Sequence, residues 1–125
     1  MATSVRLPSP SPLDAVEVLH DRLGFTYREL AGAVHADEAT LHRWRTNAER
    51  GGGAPPSPVY LARLAALQAF LDELGRTFRR WDDAVAWVDR PAPAFRGETP
   101  RALIRAGHVD RVTGMLYALN AGVLA

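Results

Sequence analysis

WVDRPAPAFRGETPRALIRAGHVDRVTGMLYALNAGVLA, residues Trp87–Ala125, is the stretch on which the reading of the whole chain turns. From Thr113 to Ala125 it holds no charged side chain. Val109, Val112, Leu116, Leu119 and Val123 recur at helical spacing and predict one apolar stripe. Gly114, Tyr117 and Ala121 form a second line, small or aromatic where a solvated helix carries Arg or Glu, and Met115, Ala118 and Gly122 fill the angle between the two. A helix that is apolar nearly all round has to be covered on more than one side. Periodicity alone fits a central core helix and a partner-binding helix equally well. The uncapped end at Ala125 favours an exposed binding element.

Working outward, 125 residues suffice for one domain, or for two small helical lobes sharing a core. Hydrophobic residues make up 47% and charged residues 23%, the balance of a folded globular chain. No apolar run is long enough to span a bilayer, and the start, MATSVRLPSPSPL, lacks the apolar core of a signal peptide. Residues 1–10 are therefore expected to be a flexible arm, and the protein to be cytoplasmic with no membrane partner. The absence of cysteine excludes disulfides, thiolate catalysis and Cys-based zinc sites. A net charge of +1 is too small for a strong non-specific nucleic-acid binder.

Ser11-Pro12 reads as an N-cap followed by Pro at the first helical position, and Leu13, Val16, Leu19 and Leu23 mark the helix that ends at Gly24. Thr26 and Glu29 make a capping box for a second helix with Leu30, Ala31 and Val34 on its inner side. A turn at His35-Ala36 leads to Asp37, the cap of a third helix, EATLHRWRTN, with Leu41 and Trp44 inward. These positions resemble the helix-turn-helix of Xre and phage repressors, with the small Ala31 where the two helices cross. His35 departs from that pattern, which prefers Gly because the turn needs a positive φ. His tolerates this conformation better than a β-branched residue.

If the third helix enters a major groove, its outward face presents Ala39, His42, Arg43 and Thr46, with Glu38 at the edge. Arg43 is the candidate for a guanine, and Arg45 or Arg50 for phosphate. Acidic and basic side chains nearly balance over residues 1–50, so operator DNA binding is expected to need a dimer and two half-sites. The plainer alternative is a structural three-helix lobe. Asn47–Pro58, NAERGGGAPPSP, breaks the chain, since such a run continues neither helix nor strand. No Lys-Ser/Thr follows its glycines, so a phosphate cradle is excluded. A Xre-like domain is thus expected over residues 11–50 and a Gly/Pro loop over 51–57.

From Ser57-Pro58 a long helix runs to about Gly75, with Leu61, Leu64, Leu67, Phe70, Leu71 and Leu74 on a broad apolar face that is either internal core or a homodimer seam. Asp82 and Asp83 open a short helix, AVAWV, where carboxylates complement the dipole, so they are better explained there than as an acid/base pair. Trp44 and Trp87 are expected in the core, and Trp81 as a partly covered packing residue. His20, His35, His42 and His108 have no spacing that joins two on one metal. Thr99 caps a helix that Pro100 begins and Gly107 ends, and His108–Ala125 follows as the last helix. No catalytic residue, cofactor or metal is expected, and the chain is not read as an enzyme.

Trp87, Pro91 and Pro93, Gly97, Thr99-Pro100, Leu103-Ile104, Gly107 and Gly122-Val123-Leu124-Ala125 follow one another in an order that resembles the C-terminal toxin-binding domain of Xre/MbcA/ParS-type antitoxins. With the helix-turn-helix upstream, the resemblance covers most of the chain. It implies an all-α fold, with an N-terminal helix-turn-helix lobe joined to a C-terminal toxin-binding lobe over 58–125. It implies an antitoxin whose C-terminal region obstructs the active site of a RES-domain toxin, one that consumes NAD or ADP-ribosylates a target. Carried over to this chain, the toxin-binding residues are Gly114, Tyr117, Leu119, Asn120, Gly122, Val123, Leu124 and the Ala125 carboxylate. Autoregulation through operator DNA, as a homodimer within a hetero-oligomer, follows from the same resemblance. The competing reading is a dimeric transcription regulator without a toxin, whose last helix makes the homodimer.

Overall fold

The structure, a computed structural model, describes residues 12–122, and among these it is built from helices and turns without strands. Seven α-helices follow in order: α1 (Asp14–Leu23), α2 (Tyr27–Ala33), α3 (Glu38–Arg50), α4 (Pro58–Thr77), α5 (Trp81–Val88), α6 (Pro100–Arg105) and α7 (Val109–Asn120). A 3₁₀ turn, Pro93–Phe95, sits in the loop before α6.

Most boundaries have a local cause. Gly24 closes α1 in the left-handed conformation, φ 72°. The Thr26 hydroxyl accepts from the Glu29 N–H while the Glu29 carboxylate accepts from the Thr26 N–H, both at 3.0 Å. Asp37 accepts from the Thr40 N–H at 2.7 Å, and hydrogen bonding from Thr40, its hydroxyl first and then its N–H, holds the carboxyl below the usual aspartate range. Thr99 caps α6 through the Ala102 N–H at 3.0 Å. The start of α1 differs from expectation: Leu13 is the N-cap, without a side-chain bond, and Pro12 lies in the preceding turn. Ser11 lies outside the described residues. α3 continues past Asn47 to Arg50, where Gly51 ends it, and α4 extends to Thr77.

His35 adopts φ 60°, the positive value that the turn between α2 and α3 demands. Its ring lies against Gly107, where any Cβ would collide with it. A second close approach joins the same helices: a Cβ on Gly32 would stand 2.6 Å from the Arg105 carbonyl oxygen, so α2 and α6 meet backbone to backbone.

One continuous core runs through both halves of the chain, from Leu13 and Val16 on α1 to Val112 and Leu116 on α7. The loop 51–57 therefore does not divide the apolar interior. α4 is the central element, packing along α7 on one side and α1 on another. Leu64, Leu67, Phe70, Leu71 and Leu74 are fully buried, so this face is internal core rather than a seam left for a second copy. Leu61 is only half-buried. Trp44 is buried as expected, but Trp87 is only partly so: Ala84 and Val88 take the core positions of α5, while the Trp87 ring tilts against Phe78 at 5.9 Å. Trp81 is partly covered, as expected, with the Arg22 guanidinium 5.8 Å from its ring centre.

Arg101 holds α6 to the first half of the chain. Its guanidinium donates to both Asp89 oxygens at 2.7 and 3.2 Å, to the Leu23 carbonyl at 2.6 Å and to Glu29 at 3.4 Å, and lies 4.4 Å over the Phe25 ring. Its side chain is 17% exposed. The hydrogen bonds to Asp89 raise its pKa further.

Candidate functional site

α7 carries the site. Val109, Val112 and Leu116 are spaced three and four apart and point into the core, where each buried side chain stabilises the fold by about 1.5–3 kcal/mol. Helical rotation then turns Gly114 and Tyr117 outward. Tyr117 is 65% exposed, and among the described residues nothing beyond the helix's own backbone lies within 4 Å of a Cβ built on Gly114. Leu119, on the predicted apolar stripe and also carried over as a toxin-binding residue, is 40% exposed and lies on the open side. Ala121 is exposed as well, and Met115 and Ala118 are partly covered. The Thr113 hydroxyl donates to the Val109 carbonyl at 3.1 Å, so it adds no free donor to this face. The charges of α7, Asp110 and Arg111, are confined to its first turn.

The helix stops earlier than expected. It ends at Asn120, and Gly122, at φ 75°, turns the chain away. The physical reason is in the ends of the bonds: the Ala121 and Gly122 N–H groups donate back to Tyr117 and Leu119 at 2.9 and 3.1 Å, closing the last turn. The side chain of Asn120 is occupied within the chain. It donates to Glu73 at 3.0 Å and accepts from the Thr77 hydroxyl at 3.0 Å, both on α4. Gly122 is exposed, while Val123, Leu124 and Ala125 lie outside the described residues.

The outer side of α3 is different in kind. Ala39, Arg43 and Thr46 are exposed. His42 Nε2 lies 3.3 Å from a Glu38 carboxylate oxygen, within hydrogen-bond reach, and His42 Nδ1 faces Arg45 Nη1 at 3.1 Å. With Nε2 donating to Glu38 and Nδ1 accepting from Arg45, the ring meets both contacts. Arg45, a candidate for phosphate, is turned inward instead. It donates to Glu17 at 2.5 Å and to the Tyr27 hydroxyl at 2.7 Å, lies 3.8 Å over the Tyr27 ring, and is 20% exposed. His20 stacks on the same ring with centroids 3.9 Å apart. Partial burial raises the Glu17 pKa, but the hydrogen bond and charge of Arg45 outweigh it, and the carboxyl ends below its usual range. Burial, then the charge of Glu17, raise that of the Tyr27 phenol.

Sequence reasoning missed Arg101, Glu73 and the Glu17–Tyr27–Arg45 cluster. Their partners come from other helices, as far as 78 residues away for Arg101 and Leu23, and local spacing carries no sign of them. Among the described residues no group of three His, Cys, Asp or Glu side chains is placed to hold a metal ion, and no helix is long and apolar enough to cross a membrane.

An all-helical chain that leaves one uncharged helical face open at its C-terminal end has the architecture of a protein-binding module. Residues 66–122, from the middle of α4 to the turn after α7, match the family described as the antitoxin Xre/MbcA/ParS C-terminal toxin-binding domain. The mycobacterial cidal antitoxins MbcA of Mycobacterium bovis and Mycobacterium tuberculosis are 30% identical to the chain over 103 residues, covering 82% of it and 86% of each relative. The chain belongs to this family of antitoxins of toxin–antitoxin systems. It is similar in fold, with a TM-score of 0.59 and 26% identity, to a chain in the crystal structure of the M. tuberculosis MbcT–MbcA toxin–antitoxin complex, over 94% of this chain and 100% of that one.

Proposed function

We propose that this antitoxin neutralises a RES-domain toxin, one that consumes NAD or uses it to ADP-ribosylate a target, by laying the outer face of α7 and the tail beyond it over the toxin's active site. The observation that carries the reading is the open, uncharged face made by Gly114, Tyr117, Leu119 and Ala121. A Tyr left 65% exposed beside a bare helical glycine and an exposed Leu is apolar surface that none of the described residues covers. Its relative MbcA is found in complex with the toxin MbcT, which supports a toxin as the occupant. Val123, Leu124 and Ala125, which lie outside the described residues, bring no charged side chain to the reading.

The same reading places the protein in the cytoplasm and has it repress its own operon as a homodimer within the toxin complex. Ala39, Arg43 and Thr46 on the exposed side of α3 support DNA contact, with Arg50 at its end as the phosphate ligand in place of Arg45. The deciding experiment expresses the neighbouring toxin gene alone, with the full chain, and with Tyr117→Asp or Leu119→Asp variants. The full chain is expected to restore growth and the variants to fail while keeping the wild-type circular dichroism and melting temperature. Equal rescue by both variants sinks the plug. A harmless neighbour would favour the transcription regulator without a toxin.

A further inference from the structure

Among the described residues, Glu73 is the one charged residue that is buried, at 7% exposure. A carboxylate in that position is costly unless it is paired and hydrogen-bonded. One of its oxygens is paired with Arg76, which reaches in from solvent one turn further along α4. The other accepts from the Asn120 side chain at 3.0 Å. Thr77 completes the group: its hydroxyl lies 3.0 Å from Asn120 Oδ1 and 2.9 Å from the Glu73 carbonyl oxygen, and its single proton serves one of the two at a time.

The place of this clasp gives it meaning. Asn120 is the last residue of α7, and the chain turns away two residues later at Gly122. No basic residue in the last turn compensates the helix C-terminus, and the neighbouring Tyr117 and Leu119 are too exposed to anchor it by burial. Helix ends held by backbone bonds alone open easily. An apolar contact would attach α7 to α4 without fixing its rotation, whereas the amide–carboxylate pair is directional.

We infer that Glu73 is a positioning residue for the toxin-binding end of α7: through Asn120 it locks the last turn of α7 onto α4 and holds Ala121 and Gly122, where the chain leaves that helix. This rests on the plug reading above. Asn120 then acts by holding the tail from within the chain. A tail whose point of departure is fixed loses less freedom when it enters a cleft.

The test uses the full chain. Asn120→Asp sets a carboxylate against the Glu73 carboxylate at a site exposed enough to leave the core intact. Hydrogen exchange at the Ala121 and Gly122 amides is expected to speed up about tenfold or more, with Val112 and Leu116 unchanged. Affinity for the co-expressed toxin is expected to weaken about tenfold. Combining Asn120→Asp with Glu73→Gln re-forms the bond with donor and acceptor exchanged and is expected to recover both readouts, a rescue that general destabilisation does not show. Asn120→Ala provides a second loss of the bond without added charge. Unchanged exchange at residues 121–122 in both single variants overturns the proposal, as does faster exchange with full neutralisation. The Tyr117→Asp variant separates the two ideas: its full activity would remove the plug, while the exchange data judge the clasp on their own.

Discussion

Gly32 and Gly114 both sit inside helices, where a glycine is less stable than alanine by about 1 kcal/mol. Their surroundings are opposite. The Arg105 carbonyl stands 2.6 Å from where a Gly32 Cβ would be, and backbone does not move aside as a side chain does. Gly114 faces open space. Gly32→Ala is therefore expected to destabilise by about 1–3 kcal/mol by forcing α2 and α6 apart. Gly114→Ala is expected to stabilise by up to about 1 kcal/mol. Urea denaturation of the two variants checks both signs. Destabilisation by Gly114→Ala would mean that the outer face of α7 is already covered in the free protein. If Gly114→Ala stabilises but weakens toxin binding, a partner backbone approaches this position closely. The need for a positive φ before α3 was legible at His35, because turn geometry is local. The approach at Gly32 was not, since its neighbour is 73 positions further on.

Helices that look independent in sequence are tied by side chains. Glu17 on α1, Tyr27 on α2 and Arg45 on α3 form one cluster, which binds the helix-turn-helix to the helix before it. The cost is a basic residue withdrawn from the exposed side of α3. Because the folded pKa of Glu17 is depressed, the cluster contributes stability that is complete above the usual glutamate range. That contribution is lost as the pH falls through the folded value. Glu17→Gln is expected to lower the urea midpoint at neutral pH and to flatten its decline on acidification, so that the wild-type and variant curves converge at low pH. Parallel curves would show that the Glu17–Arg45 pair does not contribute to folding. α7 teaches the complementary lesson: its periodicity marked Val109, Val112 and Leu116, but Leu119 fell on the open side. A stripe of apolar residues wider than the neighbouring helix can cover does not announce where cover ends.

At the scale of the molecule, the Gly/Pro loop is a break in the chain and not in the core. Val16 and Leu19 of α1 belong to the same cluster as the leucines of α4, and α2 lies on α6. The fragment 1–57 would expose the faces of α1 and α2 that these helices cover, leaving too little buried surface to fold stably. It is expected to show weak helicity and no cooperative melting transition, while the full chain melts in one step by circular dichroism. A sharp transition in the fragment would mean that the helix-turn-helix folds by itself.

The sequence by itself determined the helical class, the caps at Thr26, Asp37 and Thr99, the left-handed turns at Gly24 and Gly107, and the likeness of the stretch from Trp87 onward to an antitoxin family. Each of these depends on residues a few positions apart, or on an order of residues that survives as a pattern. Tertiary structure alone decided which apolar residues of α7 stay open, that Arg45 turns inward, and that Glu73 grips Asn120. Those outcomes depend on which helices become neighbours, and burial and pairing between distant residues exist only once the chain has closed on itself.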